Sequence, residues 1–269
     1  MAYTQLKPRQ TKDAGVDAIS QASSHYLLSI PQGKADNYRL AQLDDYAKTK
    51  REDFPLRFPL SLSLSARTSS STIPGTWGFG LWNDPFGMSL GFGGSPFRLP
   101  ALPNAVWFFG ASQENYLSFK ERSDENSSRS VDETRGIHET ASSMGFSGNK
   151  QPSPAGFDTG AGSLRPTQPA EAANGFLAQS FCSPKFHPRL IPAGLALPFS
   201  RRTTRRLLGK VIDEDGTRLK VDVTQWHRYR LDWREKRIAF EVDDAIVFES
   251  SVSPNPPLGL VIWIDNQYA

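Results

Sequence analysis

Short runs of alternating apolar and polar residues recur along most of this chain. In the stretch FPLRFPLSLSLSART, residues 54–68, the side chains of Leu60, Leu62 and Leu64 alternate with serines. Because successive side chains of a β-strand point to opposite faces, this pattern predicts a strand with one face toward a core and the other toward water. A half-buried antiparallel strand is therefore expected here.

The C-terminal block contains the clearest set of strands. LKVDVTQWHRYRLDWREKRIAFEVDDAIVFES, residues 219–250, contains three successive apolar alternations, and the acidic turn DDA joins the last two. Similar short segments precede this block, separated by Gly, Pro and Asn: HYLLSI, NYRLAQLDDY, TWGFGLWN, MSLGFG, AVWFFGAS, NYLSFKE and NGFLAQSF. We therefore predict an all-β fold, with residues 25–269 forming a single sandwich domain.

Three segments depart from the strand pattern. Residues 1–24 are polar and without period, which predicts a flexible leader. Residues 123–172 are rich in Ser, Gly and Pro and poor in large apolar residues, which predicts a disordered insertion whose ends lie near each other. Residues 200–212 favour one short helix, capped by Ser200, whose arginines would either contact an anionic surface or face solvent.

Charge and cysteine content narrow the class of protein. Lys and Arg number 31 against 28 Asp and Glu, and a net charge of +3 gives no argument for nucleic acid. Cys182 is the single cysteine, which excludes an internal disulfide framework and a cysteine-built metal site. No stretch reaches the roughly 18 apolar residues of a transmembrane helix, so we expect a cytoplasmic protein without a transmembrane segment.

One motif in the C-terminal block resembles a known family. W-H-R-Y-R-L-D-W, from Trp226 to Trp233, precedes R-I-A-F-E-V-D, which ends at Asp243. These residues resemble the end of concanavalin A-like lectin/glucanase domains, including family 16 glycoside hydrolases, in which W-H-x-Y-x-x-x-W precedes I-x-F-x-V-D-G. The resemblance covers residues 220–250 well and residues 54–119 loosely. It implies a jelly-roll β-sandwich of two antiparallel sheets, one of them concave and able to hold a saccharide.

The hydrolases of this group have a catalytic strand that this chain does not match. Their E-x-D-x-x-E motif is absent, and the strand expected to supply it, NAVWFFGAS, contains no carboxylate. The resemblance therefore implies the fold without the catalytic residues. An atypical hydrolase would have to use Asp84, Glu114 or Asp265, and Asp84 with Asp265 is the pair to test, because hydrolysis ordinarily needs two carboxyl groups flanking the bond.

The segment PGTWGFGLWNDPFG, residues 74–87, contains the first candidate ligand-binding residues. Trp77 and Trp82 are five residues apart, so they point to opposite faces of a regular strand. One ring is then free to stack on a sugar while the other fills the core. Asp84 suits either a turn or a ligand contact. Trp107, on the strand AVWFFGAS, is a further candidate for stacking.

The ending GLVIWIDNQYA is the densest cluster of polar and aromatic residues. Trp263 and Asp265 share one face of the predicted strand, and Asn266 follows directly. These residues suit saccharide binding and the end of a strand equally well. Because the chain stops at Ala269, soon after a strongly apolar strand, we expect one more strand beyond it to cover that edge.

The candidate ligand-binding residues are therefore Trp82, Asp84, Trp107, Trp263, Asp265 and Asn266. The four histidines lack metal-ligand spacing and no phosphate loop occurs, so neither a metal nor a cofactor is expected. The leading interpretation is a non-catalytic carbohydrate-binding domain. A structural or scaffold domain and an atypical glycoside hydrolase are the alternatives.

Overall fold

The computed structural model describes residues 6–20, 25–33, 37–85, 101–113, 115, 118–119, 171–184 and 211–267. The chain divides into two compact units, Met1–Arg122 with Ala170–Ala269 and Ser123–Pro169, and the described residues all belong to the first. Most of the predicted insertion and most of the predicted helix at 200–212 lie outside the described residues. The segment MSLGFG and Glu114 also lie outside them.

The described residues are almost entirely strands and turns. In chain order the strands are β1 (Lys7–Gln10), β2 (Gly15–Ser20), β3 (His25–Ser29), β4 (Leu40–Asp44), β5 (Leu60–Ala66), β6 (Thr76–Trp82), β7 (Ala105–Ala111), β8 (Ser118–Phe119), β9 (Glu171–Ala172), β10 (Gly175–Cys182), β11 (Asp213–Arg218), β12 (His227–Arg234), β13 (Arg237–Val242), β14 (Ala245–Ser250) and β15 (Gly259–Asp265). In this part of the chain, helical structure is limited to one 3-10 turn, Arg51–Asp53.

Antiparallel pairing joins these strands into two large sheets. The seven-stranded sheet has the order β1-β4-β15-β6-β7-β10-β11, and the four-stranded sheet has the order β14-β13-β12-β5. β2 pairs with β3, and β8 pairs with β9. The protein is therefore all-β with two antiparallel sheets, as the alternating pattern predicts.

A single large core joins the two sheets into a β-sandwich. Tyr229, Leu231 and Trp233 of β12 pack in the same buried cluster as Phe79 of β6 and Phe108 of β7. The leucines of β5 pack against this cluster, while the serines between them are exposed. The sandwich forms because each sheet has one apolar face, and burying these faces against each other removes both from water.

The chain crosses between the sheets, so the seven-stranded sheet combines distant parts of the sequence. β4 and β6 belong to that sheet, while β5 belongs to the four-stranded sheet. β15 returns from the other sheet and inserts between β4 and β6. Its side chains therefore lie beside residues that are more than 170 positions earlier in the chain.

The predicted meander of β12, β13 and β14 is confirmed. The turn between β13 and β14 contains Asp243 and Asp244, with φ angles of 49° and 68°. Two successive left-handed residues are what a tight hairpin turn needs, because its backbone twist then matches that of the strands. Aspartate tolerates this conformation better than most residues do.

The first residues of the chain differ from the flexible leader expected for residues 1–24. β1 pairs with β4 at the edge of the seven-stranded sheet, and β2 pairs with β3. Low hydrophobicity does not prevent this, because an edge strand is held by backbone hydrogen bonds along one side. Arg9 of β1 adds an ion pair to the fully buried Asp44.

β8, which precedes the predicted insertion, pairs with β9, which contains the last two residues of that insertion. Ser118 pairs with Ala172, and Phe119 pairs with Glu171. The chain therefore leaves and re-enters the described structure at adjacent points.

In the described residues there is no helix with the length and apolar character needed to cross a membrane.

Candidate functional site

The seven-stranded sheet has one face in the core between the two sheets, and several aromatic side chains lie on its outer face. Phe79 and Phe108 point into the core. The alternate positions of the same strands and their neighbours place a group of aromatic side chains on the outer face. We call this group the aromatic face. Its members are Trp82, Trp107, Phe109, Phe181 and Trp263.

Three tryptophans from three neighbouring strands form the centre of the aromatic face. The rings of Trp82 and Trp263 are parallel within 3°, with centroids 6.4 Å apart. The ring of Trp107 is tilted against both, with centroids 6.1 Å from Trp82 and 5.7 Å from Trp263. Each side chain is half-buried. The structure therefore brings together all three tryptophans that the sequence proposes for binding.

Each of these indoles donates its N–H to a neighbouring side chain. Trp82 Nε1 donates to the Tyr46 hydroxyl at 2.6 Å. Trp107 Nε1 donates to Gln179 Oε1 at 3.3 Å, and Trp263 Nε1 donates to Thr76 Oγ1 at 3.1 Å. Such bonds orient the rings and satisfy their polar edge. The surfaces left for a ligand are thus the flat faces of the rings.

Glycines in β6 allow the tryptophan rings to lie close to the sheet. A Cβ atom at Gly78 would come within 2.8 Å of Cη2 of Trp263 and 2.4 Å of the Phe108 carbonyl oxygen. A Cβ atom at Gly80 would come within 2.5 Å of Cβ of Trp107. Real side chains do not tolerate such distances, so the G-x-G spacing in GFGLW is a packing requirement of the aromatic face.

Trp77 lies on the opposite side of β6 from Trp82, as their five-residue spacing predicts. Trp77 packs against the core between the sheets, where its ring stacks on Phe176 with centroids 5.1 Å apart. Trp82 packs instead with Tyr46 and Val261. The segment PGTWGFGLWNDPFG thus contributes one tryptophan to the core and one to the outer face.

A buried polar cluster of Arg9, Gln42, Asp44 and Tyr46 borders the aromatic face next to Trp82. Arg9 Nε donates to Asp44 Oδ2 at 2.5 Å, and Gln42 Nε2 donates to the same oxygen at 2.9 Å. Gln42 also donates to the Tyr46 hydroxyl at 3.2 Å. The polar cluster is therefore connected to the tryptophans through Tyr46.

Sequence reasoning missed the polar cluster. It identified NYRLAQLDDY only as a strand, yet in β4 the polar Gln42 and Asp44 alternate with Ala41 and Leu43, and all four are buried. Polar residues with a period of two in a wholly buried strand indicate a buried hydrogen-bonding network on one face. The alternation of polar residues is visible in the sequence, but the burial of both faces of β4 and the partner Arg9 are not.

Asp84 lies near the same polar cluster. It occupies a turn position with a φ of 49° and its backbone oxygen accepts a hydrogen bond from Arg51. Burial together with the charges of Asp44 and Asp84 raises the pKa of Tyr46. Burial alone would disfavour the charged form of Arg9, but Tyr46, Asp44 and Asp84 together raise its pKa. Asp84 therefore serves a turn and also contributes negative charge at this end of the face.

Asp265 and Asn266 lie at the other end of the aromatic face and are occupied by structural hydrogen bonds. Asp265 Oδ1 accepts from Thr76 Oγ1 at 2.8 Å, and Asp265 Oδ2 accepts from the Tyr38 hydroxyl at 3.3 Å. Asn266 Oδ1 accepts from the Arg39 backbone N–H at 2.7 Å. Both residues are buried, so they fasten β15 to neighbouring chain segments rather than project toward a ligand.

The structure separates Asp84 from Asp265. Asp265 pairs with Thr76 at the start of β6, whereas Asp84 follows Trp82 at its end. Six steps along a strand at about 3.3 Å each span roughly 20 Å, well beyond the 5–10 Å between the carboxyl groups of glycosidases. These two aspartates therefore do not form a hydrolytic pair.

The chemistry of the outer face is thus aromatic stacking beside buried polar groups. Within the described residues, His, Cys, Asp and Glu side chains form no group of three or more able to hold a metal ion.

No protein-family model matches the chain, and no curated protein matches it. The features that bear on function are therefore the geometry of the aromatic face and the motif in β12 and β13.

Proposed function

We propose that this protein is a non-catalytic concanavalin A-like domain that binds a saccharide on the aromatic face of its seven-stranded sheet. The observation that carries the proposal is the group formed by Trp82, Trp107 and Trp263. Three large rings from adjacent strands lie half-buried side by side on one sheet surface, and contiguous apolar surface of this kind is typical of ligand-binding grooves and interaction sites.

The oriented rings fit the apolar faces of sugar rings. The C–H face of a pyranose packs on an indole, and the parallel rings of Trp82 and Trp263 offer two such surfaces with one orientation. Because the N–H groups are bonded to Tyr46, Gln179 and Thr76, the rings are already oriented before a ligand binds. Less conformational entropy is then lost on binding.

The motif in β12 and β13 supports the family part of the proposal. Tyr229, Leu231 and Trp233 point into the core between the two sheets, and Ile238, Phe240 and Val242 face them from the neighbouring strand. Tyr229, Trp233, Ile238, Phe240 and Val242 are apolar positions of the motif that resembles concanavalin A-like domains, whereas its first residue, Trp226, is exposed. An all-β sandwich of two antiparallel sheets fits the same family.

The test is binding to an array of neutral glycans, followed by titration calorimetry with any glycan that binds. Trp107→Ala and Trp263→Ala should each weaken binding by about tenfold or more, because each removes a stacking surface. Urea unfolding checks that both variants are folded. The matched control is Ile246→Ala, which removes an exposed apolar side chain of β14 outside the aromatic face and should leave the affinity for neutral glycans unchanged.

Other results would point to the alternative functions. A folded protein that binds no glycan on a broad array would support a structural or scaffold domain. Hydrolysis of laminarin or lichenan that is lost on Asp84→Asn would support an atypical glycoside hydrolase. Either result would overturn the proposal.

A further inference from the structure

A second aromatic residue cluster lies on the other sheet. The last pair of the ladder between β5 and β12 joins Ala66 with His227. The next residues on each strand, Arg67 and Trp226, continue the outer face of the four-stranded sheet beyond this pair. The guanidinium carbon of Arg67 lies 5.3 Å from the centroid of the Trp226 ring. His25 of β3 contacts the same indole, with ring centroids 5.7 Å apart.

Trp226 is unusually open to solvent for its type. Its relative exposure is 52%, and Arg67 and His25 are exposed as well. Tryptophan is normally one of the most buried residue types on average. Trp226 thus contributes little to the core, and part of its ring faces solvent.

The charged residues of this outer face are otherwise paired with one another. Four arginines of β12 and β13 each contact a carboxylate from the same sheet or its turns, as Arg228–Asp244, Arg230–Glu241, Arg234–Asp232 and Arg237–Glu249. Within the described residues, Arg67 differs because it contacts the indole of Trp226 and no carboxylate. Arg67 is therefore a cation without a carboxylate in this part of the molecule.

Asp222 and Asp243, which both contact His227 next to Trp226 in the chain, already have partners. Asp222 accepts hydrogen bonds from the backbone N–H and the hydroxyl of Thr224, at 3.1 Å and 2.6 Å. Asp243 bonds to Nδ1 of His227 at 2.6 Å and accepts the backbone N–H of Arg228 at 2.8 Å. The charge of Arg67 thus remains available to an anion from outside.

An exposed indole beside an unpaired guanidinium is suited to an acidic sugar. The indole offers a flat apolar surface for the C–H face of a pyranose. A guanidinium that lies against an aromatic ring keeps N–H donors in its plane, and these bind a carboxylate in a bidentate manner. A neutral sugar would not use the charge, and a simple inorganic anion would not use the indole.

We propose that Arg67 and Trp226 form a second ligand site, which binds the uronic acid residues of an acidic polysaccharide, with His25 flanking the ring. Exposed serines of β5 extend along the same face from this site. Ser63 and Ser65 face the positions of Arg230 and Arg228, so their hydroxyls are placed to contact further sugar units. The site is on the four-stranded sheet and does not depend on the aromatic face of the other sheet.

The test uses the full chain and polygalacturonate as the probe, with affinity gel electrophoresis and titration calorimetry. Arg67→Gln and Trp226→Ala should each weaken binding by about tenfold, since each removes one of the two interactions. The matched control is Arg234→Gln, which removes an exposed arginine of the same face that is paired with Asp232. Its affinity should stay within about twofold of the unsubstituted protein.

Two comparisons separate this site from general charge attraction. A neutral galactan should bind at least about tenfold more weakly than polygalacturonate, and so should polyacrylate, which carries carboxylates without sugar rings. Equal losses in Arg67→Gln and Arg234→Gln, equal binding of polyacrylate, or no binding of polygalacturonate would overturn the proposal. Because Trp82, Trp107 and Trp263 are unchanged in these variants, the result is independent of the aromatic face.

Discussion

Trp82 and Tyr46 are joined by a hydrogen bond of 2.6 Å from the indole nitrogen to the phenol oxygen, although they are 36 residues apart in the chain. Tyr46 is fully buried and also receives a hydrogen bond from Gln42. The contact therefore connects the aromatic face to the polar cluster. It makes Tyr46 a positioning residue for the Trp82 ring.

Tyr46→Phe removes the acceptor of the Trp82 N–H and leaves a partly buried donor unsatisfied. We expect a loss of about 1–3 kcal/mol in the free energy of unfolding, together with a shift in tryptophan fluorescence. Urea unfolding and emission spectra measure both. Tyr26→Phe is the matched control, because the half-buried Tyr26 of β3 lies outside the polar cluster and should change neither quantity. Equal stability of the two variants would contradict the role given to the Tyr46 hydroxyl.

Gly78→Ala should disturb the packing of the Trp263 ring against β6. The added Cβ would lie 2.4 Å from a backbone oxygen and 2.8 Å from the ring of Trp263, so the ring has to move and the strands have to separate slightly. Overpacking of this kind costs about 1–3 kcal/mol. The measurement is thermal or urea unfolding, with Gly15→Ala as the control, since its nearest neighbour is the rotatable Ser29 hydroxyl at 3.0 Å. A variant as stable as the control would show that the rings do not rest on β6.

Asp265→Ala should affect folding more than binding. Its carboxyl accepts from the buried Thr76 hydroxyl, from the Gln267 backbone N–H and from Tyr38, so its removal takes away three hydrogen bonds that hold the end of β15. We expect a decrease of about 1–3 kcal/mol in the free energy of unfolding. Saccharide affinity should be retained in the fraction that is folded, as measured by calorimetry below the unfolding midpoint. A fully stable variant that had lost saccharide binding would instead make Asp265 a ligand residue.

The raised pKa of Asp45 predicts that the free energy of unfolding depends on pH. Burial raises its pKa to about 6, against the hydrogen bond from the Leu260 N–H, and its Oδ2 is buried with no hydrogen-bond partner among the described residues. The carboxyl thus binds its proton more tightly in the folded chain than in the unfolded chain, where the pKa is 3.8. Its contribution to stability is therefore present below pH 3.8 and is lost as the pH rises toward about 6.

Asp45→Asn removes this ionisation and retains the oxygen that accepts the Leu260 N–H. At neutral pH the variant should be more stable than the unsubstituted protein by roughly 1 kcal/mol, after allowance for solvent screening. The difference should disappear near pH 4. Urea unfolding at several pH values measures it, with the exposed Asp53→Asn as the control. A constant difference across this range would contradict the assignment.

Period-two alternation was enough to predict the all-β class and many of the strands. Leu60, Leu62 and Leu64 face the core with serines outward, and the turn DDA connects β13 and β14, because these features depend on neighbouring residues alone. The same local rule placed Trp77 and Trp82 on opposite faces. Strand existence and side-chain alternation are local properties, so a single sequence contains them.

Local pattern did not identify β1 and β2, since their polar residues depend on partners elsewhere in the chain. Lys7–Gln10 has little apolar surface of its own and is held by the edge of β4 and by the pairing of Arg9 with Asp44. Asp265 was similarly ambiguous. Only its contacts with Thr76 and with Tyr38, which is 227 positions away, show that it serves the fold.

The sequence by itself determined that Trp77 and Trp82 lie on opposite faces of one strand, and the tertiary structure alone decided which of them is outward and that three outward tryptophans meet. The order β15-β6-β7 brings Trp263 beside Trp82 and Trp107. In the chain, however, β7 and β15 are separated by β12, β13 and β14, which belong to the other sheet. Strand order depends on which apolar faces can be buried together over the whole molecule. That is a property of long-range packing, which alternation within one segment does not record.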